Sequence, residues 1–203
     1  MIGKILKENL LLLFLTVFLL TLSNVTWSNT IYITQSGSNL DLDITQDGQN
    51  NEIEALNGNG SAIVYGNNST VTFTQTGNSN QIRVWSDYSS GKSSTSNQTG
   101  NSNISLVDNH GQDNTITMNV TGNSNYTFNE IGNGGDTDNT ITTTINGDSN
   151  NVIAEVQNGD NNALDVQVQS QSNNIVRLYV NGDNNNSKVW QGKHENGDVD
   201  NNE

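Results

Sequence analysis

The chain has 203 residues, of which 21 are acidic and 7 basic, and it contains neither cysteine nor proline; its formal net charge is −14. This acidity argues against nucleic acid and anionic lipid as partners, because both ligands require a basic patch that releases counterions. The lack of cysteine excludes disulfides and thiolate metal ligands. A hydrophobic content of 31% is low for a conventional globular core, so disorder of the isolated monomer stays open as an alternative.

Residues 1–28 are predicted to be an export signal. Lys4 and Lys7 precede an apolar run from Leu10 to Leu20, and the small residue Ser28 follows it. The run is shorter than the roughly 20 apolar residues that cross a bilayer, which favours a cleaved signal peptide over a membrane anchor. We therefore expect export, no stable membrane insertion of the mature chain, and a mature net charge of −15, since Lys4, Lys7 and Glu8 are removed.

The rest of the chain repeats the short phrase Gly-x-x-Asn. Its glycines are Gly48, Gly77, Gly100, Gly111, Gly122, Gly147, Gly159 and Gly182. Runs of alternating apolar and polar residues lie between the phrases. Glycine and asparagine tolerate the positive φ angles of tight turns, whereas alternation is typical of strands. One period therefore predicts one turn and one strand.

Two periods predict a strand-turn-strand unit of about 22 residues, which cannot bury its apolar face unless copies stack. We therefore predict an all-β fold over residues 29–192, a β-solenoid of roughly seven stacked units with two open ends. Residues 86–97 and 132–136 interrupt the rhythm and are predicted to be bulging loops. The acidic tail, residues 193–203, is predicted to be disordered.

Alternation also predicts which side chains point inward. The offset from the repeat asparagine differs between the predicted copies, so single copies can be wrong by one residue. The inward rows are Ile82 and Val84; Ile104 and Leu106; Ile116, Met118 and Val120; Val152 and Val156; Leu164, Val166 and Val168; and Val176, Leu178 and Val180.

Glutamine and asparagine recur at fixed offsets from the repeat glycine. Stacked copies would form hydrogen-bonded amide ladders along the axis, and a buried amide is satisfied only where the stack continues. The doubled asparagines are interpreted as simple turn formers. The absence of proline also favours self-assembly, because proline blunts exposed sheet edges. The predicted self-assembly ladder comprises Gln46, Asn51, Gln75, Asn80, Gln98, Asn103, Asn114, Asn125, Asn150, Gln157, Asn162 and Asn185.

The sequence favours a protein that is not an enzyme and needs neither a cofactor nor a metal. His110 and His194 lie in a turn and in the tail, and no cysteine accompanies them, so triads and zinc sites lack their components. Acidic pairs such as Glu52 and Glu54 are interpreted as a solvated strand face. Weak calcium binding stays open, because residues 133–136 approach the Gly-Gly-x-Gly-x-Asp pattern once.

Threonine-rich segments allow a different interpretation. Residues 70–74, 115–117 and 140–144 place hydroxyls on one strand face, an arrangement that can order water and adsorb to ice when strands stack. Threonine is also a good strand former, and the row is expected to be broken in other copies, so the ordinary strand interpretation is favoured. The residues expected to break the row are Arg83, Ser105, Glu155 and Asp165.

The segment Ser69-x5-Gln75-x-Gly77-x-x-Asn80-x-Ile82 resembles the curlin repeat, whose pattern is Ser, five residues, Gln-x-Gly-x-x-Asn-x-Ala, three residues and Gln. The same core begins at Gln46, Gln98 and Gln157, and the similarity covers roughly residues 35–192. The chain departs from the pattern in places. The alanine position holds Ile82, Val152 or Leu164, and Val120, Ile145 and Val180 replace the first glutamine in other copies.

This resemblance implies an exported subunit that crosses the outer membrane unfolded through a dedicated secretion channel. It further implies polymerisation at the cell surface into amyloid-like fibres that serve adhesion and biofilm matrix. The implied partners are other copies of the chain, a curli-type nucleator and the secretion channel. The alternative is a monomeric secreted β-solenoid, acting as an adhesin or as an ice-binding module.

Overall fold

The computed structural model describes residues 28–56, 58, 60–86, 90–132, 135–169 and 173–192. The predicted signal peptide, apart from Ser28, and the predicted disordered tail lie outside the described residues. Every regular element in the described part of the chain is a β-strand. This part contains no helix with the length and hydrophobicity needed to cross a lipid bilayer.

Sixteen strands follow one another along the described residues. They are β1 (Thr30–Ile31), β2 (Ile33–Ser36), β3 (Asp41–Asp47), β4 (Glu52–Ala55), β5 (Ala62–Tyr65), β6 (Thr70–Thr76), β7 (Gln81–Ser86), β8 (Ser93–Thr99), β9 (Ile104–Asn109), β10 (Thr115–Thr121), β11 (Tyr126–Ile131), β12 (Thr140–Asn146), β13 (Asn151–Asn158), β14 (Ala163–Gln169), β15 (Ile175–Asn181) and β16 (Asn186–Gly192).

The strands form two sheets that run along one axis. Sheet A has the order β1-β4-β7-β9-β11-β13-β15, with β2 and β5 paired beside this path, and sheet B has the order β3-β6-β8-β10-β12-β14-β16. All pairings between these strands are parallel. Each turn of the chain crosses sheet A and then sheet B, which gives seven turns, numbered here by the strands of sheet B. The predicted β-solenoid is confirmed.

The core lies between the two sheets and is filled by alternate residues of each strand. The inward rows predicted in β10, β13 and β14 are confirmed, since their members are at most 1% exposed. The row predicted in β9 is wrong by one residue, because Ser105, Val107 and Asn109 are buried instead of Ile104 and Leu106. Pairing to β7 and β11 sets this register, and hydrophobicity does not override it.

One predicted loop is largely a strand. Residues 93–97 belong to β8, which pairs with β6 and β10 along its whole length. Its inward residues Ser94, Ser96 and Gln98 are buried, so polar side chains line the interior of turn 3 on the sheet B side. The other predicted loop, 132–136, does lie in the connection between β11 and β12, of which residues 133 and 134 are not described.

The core is less well covered at both ends of the solenoid. Phe73 and Ile116 in the middle turns are fully buried, whereas Ile33 and Ile44 in turn 1 and Val189 in turn 7 are only partly buried. Within the described residues, β3 and β16 each have a strand partner on one side only. The ends therefore expose both apolar side chains and unpaired strand edges.

The buried threonines of the core provide a test of the interior hydrogen bonding. Thr143 donates a hydrogen bond from Oγ1 to Oδ1 of Asn129 at 3.0 Å, whereas Oγ1 of Thr127 has no partner among the described residues. We expect Thr127→Val to raise the free energy of unfolding by about 1 kcal/mol, because it replaces an unsatisfied buried hydroxyl with a methyl group. Thr143→Val should lower it by about 1–2 kcal/mol.

Urea unfolding of freshly prepared monomer measures both effects. Each variant is the control for the other, because both threonines are fully buried and both substitutions conserve shape. Shifts in the same direction would contradict these hydrogen-bond assignments.

Candidate functional site

One asparagine per turn points inward at the corner where the chain passes from sheet B to sheet A. The backbone N–H of Asn103 donates to Oδ1 of Asn80 at 3.0 Å, and Nδ2 of Asn103 donates to the carbonyl of Gly122 at 2.8 Å. The same N–H to Oδ1 bond recurs through all seven turns. This column, the BA ladder, consists of Asn29, Asn51, Asn80, Asn103, Asn125, Asn150 and Asn174.

A second column occupies the opposite corner, where the chain passes from sheet A to sheet B. It comprises Asn114, Asn139, Asn162 and Asn185, and is called the AB ladder. In turns 1 to 3 the same position holds Leu40, Ser69 and Lys92. The carbonyls of Ser69 and Lys92 accept from the N–H groups of Asp41 and Thr70. Lys92 is buried, and its Nζ donates to the carbonyl of Asn109 at 3.2 Å.

Three of the four predicted glutamines, Gln46, Gln75 and Gln98, are stacked on one another inside turns 1 to 3. Nε2 of Gln46 donates to Oε1 of Gln75 at 2.6 Å, and Nε2 of Gln75 donates to Oε1 of Gln98 at 3.0 Å. Gln98 in turn donates to Oγ of Ser105. The equivalent residue in turn 4 is Val120, so the glutamine ladder is confined to turns 1 to 3.

Gln157 does not join these glutamines, in contrast to the sequence expectation. It has the same offset from a glycine as Gln75, but it lies in sheet A, where the register of β13 shifts against β15 between Val156 and Asn158. The side chain of this bulged residue points outward. It donates to Glu155 and accepts from the hydroxyl of Tyr179.

The residues that directly follow the repeat glycines form ladders of their own on the surface. The N–H of Asn78 donates to Oδ1 of Asn101 at 2.9 Å, and that of Asn101 donates to Asn123 at 3.0 Å. The series begins at Gln49 and reaches Asp148. It runs in the opposite direction to the BA ladder, since here each turn donates to the following one. These surface residues of the turns therefore hydrogen-bond neighbouring turns to each other.

Three ladder members were missing from the sequence prediction. Asn29 precedes the first glycine phrase. Before Asn139 the glycine position, three residues earlier, is occupied by Asp136, on which Gly111 of the preceding turn stacks. Asn174 likewise lacks the phrase. A constant offset identifies Asn139 and Asn174, because the second residue after each is buried, namely Ile141 and Val176. Ile31, the second residue after Asn29, is 49% exposed in the first turn.

The glycines of the BA corner bring neighbouring turns into close contact. Gly100 has a φ of +117°, and a Cβ placed on it would lie 1.9 Å from the carbonyl oxygen of Gly122. A side chain is therefore excluded both by backbone conformation and by the next turn. Gly182, at the AB corner of the last turn, has a φ of +111°, but the nearest atom to its added Cβ is 3.7 Å away.

The two ends of the solenoid carry complementary hydrogen-bonding groups. Within the described residues, Oδ1 of Asn174 and of Asn185 receive no donor from a further turn, and the N–H groups of Asn29 and Leu40 have no turn before them. The C-terminal end thus presents acceptors where the N-terminal end presents donors. This arrangement can continue into a second copy of the chain.

Acidic residues stack on the outer face of sheet A. Glu130 lies directly between Asp108 and Glu155 of the neighbouring strands, and Nε2 of His110 is 2.6 Å from Oδ1 of Asp108. Burial, with repulsion from Glu155 and Asp108, raises the pKa of Glu130 above its ordinary value. Within the described residues, no group of three or more potential ligands has an arrangement that could hold a metal ion.

The pair Glu52 and Glu54 is not uniformly solvated. Glu54 is buried and forms an ion pair with Arg83, whose Nε lies 2.8 Å from its Oε1. The turn that contains Gly58 approaches the same guanidinium group. The expectation of a solvated acidic face therefore fails for Glu54, because its carboxylate is buried and paired with the Arg83 guanidinium group.

The chain was compared with family models, with curated proteins and with solved structures, and no match was found. The fold and its ladders define a repeat protein, a two-sheet β-solenoid. A function for it has to be argued from this geometry.

The BA ladder can be tested by comparing a buried and an exposed asparagine. Asn103→Ala should lower the free energy of unfolding by about 3 kcal/mol, because it leaves the buried N–H of Asn125 and the carbonyl of Gly122 without partners. Asn101→Ala removes a surface ladder residue of the same turn and should cost less than about 1 kcal/mol. Denaturant unfolding measures both, and equal losses would show that the buried column does not hold the turns together.

The acidic row predicts a pH-dependent stability. A carboxyl whose pKa is raised in the folded state destabilises the fold once it ionises, so Glu130→Gln should stabilise the chain at pH 7, by roughly 0.5–1 kcal/mol for like charges on adjacent strands. The gain should shrink as the pH falls through the raised pKa and vanish below the ordinary value of 4.5.

Thermal unfolding between pH 3 and pH 8 measures this effect. Glu52→Gln is the control, because Glu52 lies between Thr30 and Gln81 and has no acidic neighbour directly opposite. A gain from Glu130→Gln that persists unchanged at pH 3 would contradict the electrostatic explanation.

Proposed function

We propose that this chain is a secreted structural subunit that polymerises end to end into curli-like fibres for adhesion and biofilm matrix. The observation that carries the proposal is the BA ladder, which spans all seven turns and runs out at two open, complementary ends. The resemblance to the curlin repeat supports the extracellular role. Copies of the chain, a nucleator and a secretion channel are the partners that this role requires.

The strand edges fit a parallel, in-register junction. In this arrangement β15 of one copy pairs with β1 and β2 of the next, and β16 pairs with β3. Ile44 of the next copy then continues the inward column that contains Met118 and Val189. Ile44 and Val189 are both partly exposed in the single chain, so the junction removes apolar surface from water.

Charge is also complementary at the junction. Lys188 lies in the same outer column of sheet B as Asp43. In the single chain Lys188 pairs with Asp165 at 3.0 Å, and in a stack it would lie between two aspartates. One of the few cations of this acidic chain is thus placed where the three aspartates of β3 would meet the preceding copy.

Gly182 allows the junction to be blocked selectively. By analogy with Gly159, whose added Cβ would lie 2.1 Å from the Gly182 carbonyl, an alanine at 182 would collide with the Gly37 carbonyl of the next copy. We expect Gly182→Ala to fold as a monomer and to slow fibre elongation about tenfold or more, which corresponds to about 1.4 kcal/mol of lost docking free energy. Thioflavin fluorescence with wild-type seeds measures elongation.

The control is Gly60→Ala, which carries similar backbone strain at a φ of +98° but has no atom within 4 Å of the added Cβ. Circular dichroism of both variants verifies folding. Equal elongation by the two variants would reject the in-register junction. A wild-type chain that stays a folded monomer without forming cross-β fibres would reject the fibre function and leave the monomeric adhesin.

A further inference from the structure

The outer face of sheet B carries a regular array of hydroxyl groups over turns 2 to 5. Its central column stacks Thr72, Thr95, Thr117 and Thr142 in direct register. We call this surface the threonine face. Its members are Thr70, Thr72, Thr74, Thr76, Ser93, Thr95, Asn97, Thr99, Thr115, Thr117, Asn119, Thr121, Thr140, Thr142, Thr144 and Asn146.

The residues that the sequence suggested would break this row do not lie in it. Arg83 and Glu155 belong to the outer face of sheet A, and Ser105 points into the core. Asp165 is in sheet B, but in turn 6, where it only borders the face. The broken row resulted from merging the strands of two different sheets. Within sheet B the column from Thr72 to Thr142 is continuous over four turns, and Asn97, Asn119 and Asn146 are the members of the face that carry an amide in place of a hydroxyl.

The fold gives this array a two-dimensional lattice. Stacked strands repeat at about 4.8 Å along the axis, and outward residues repeat at roughly 6.6 Å along each strand. Because all pairings are parallel and in register, equivalent side chains have equivalent surroundings. Threonine is β-branched and stiff at χ1, so its hydroxyl and methyl groups are held in a fixed pattern.

The threonine face has no charge although the chain is strongly acidic. Asp41, Asp43 and Asp47 border it in turn 1, and Asp165 and Lys188 border it beyond turn 5. A neutral face does not select an ionic partner. It also has no aromatic side chain, the group on which a sugar ring stacks through its apolar side.

We propose that the threonine face binds the surface of ice. The lattice repeats are close to the spacings of oxygen atoms in ice, and each threonine offers a hydroxyl that can join an ordered water layer next to a methyl group that does not compete for hydrogen bonds. The face runs parallel to the solenoid axis, away from the end junctions. Ice binding is therefore independent of fibre formation and is available to the single chain.

The test uses freshly prepared mature chain, and measures its partition into slowly growing polycrystalline ice. We expect the wild-type chain to be enriched in the ice fraction and to slow grain growth in frozen sucrose. The variant Thr95→Lys with Thr117→Lys should reduce the ice-bound fraction about tenfold, because two adjacent lysines disrupt the lattice at its centre. Thr117→Val, which preserves the shape of the side chain, should reduce it to a smaller extent.

The matched control is Asn151→Lys with Ile175→Lys, which places two lysines directly opposite each other on the outer face of sheet A. It should bind ice like the wild type. Wild-type partition no greater than that of an unrelated acidic protein would overturn the proposal. Equal partition of the two double-lysine variants into ice would also overturn the proposal. So would a threonine face that binds an insoluble neutral polysaccharide, or that mediates lateral dimerisation, without binding ice. Fibre growth is scored separately, so failure of one function does not decide the other.

Discussion

The fold depends on the hydrogen bond from the backbone N–H of each BA corner to the asparagine Oδ1 of the preceding turn. This bond fixes both the position of each turn along the solenoid axis and its rotation about that axis. Its donor and acceptor are buried, so a slip by one residue would leave both unsatisfied, which is more costly than a change in apolar packing. The core, the two outer faces and the two ends all follow from the register that it sets.

The dominance of this bond explains what could be predicted from the sequence. The Gly-x-x-Asn phrase predicts a turn for chemical reasons, and its recurrence predicts stacking, so the β-solenoid and most inward rows could be inferred. In β9, however, hydrophobicity favoured Ile104 and Leu106 as inward residues. The structure places Ser105 inward because it is the second residue after Asn103. In β8, which follows Lys92 and not a ladder asparagine, polar Ser94 and Ser96 are inward in register with Val71 and Phe73 of β6. In this chain the pattern of apolar residues therefore indicates the register of a strand less reliably than the position of the ladder asparagines does.

The remaining differences arise because the structural period is two strands. The Gly-x-x-Asn phrase occurs at both corners, so copies with the same offsets lead into different sheets. The BA corner contains Gly48, Gly77, Gly100, Gly122 and Gly147, and the AB corner contains Gly111, Gly159 and Gly182. Gln75 and Gln157 share an offset from glycine but occupy different corners, and only Gln75 points inward. The same confusion hid the threonine face. Within sheet B the outer face of turns 2 to 5 is neutral and rich in hydroxyls, whereas the outer face of sheet A carries the stacked acids.

The two corners differ in how far their asparagine ladders extend along the chain, and this difference bears on the proposed junction between subunits. The AB ladder is absent from turns 1 to 3, where Leu40, Ser69 and Lys92 occupy its position, and the glutamine ladder from Gln46 to Gln98 supplies the inward amides instead. Across a junction the AB column would therefore be interrupted in every copy. In the proposed fibre the BA column would continue from Asn174 into Asn29 without a gap, and this corner would set the register between subunits by the same bond that sets it between turns.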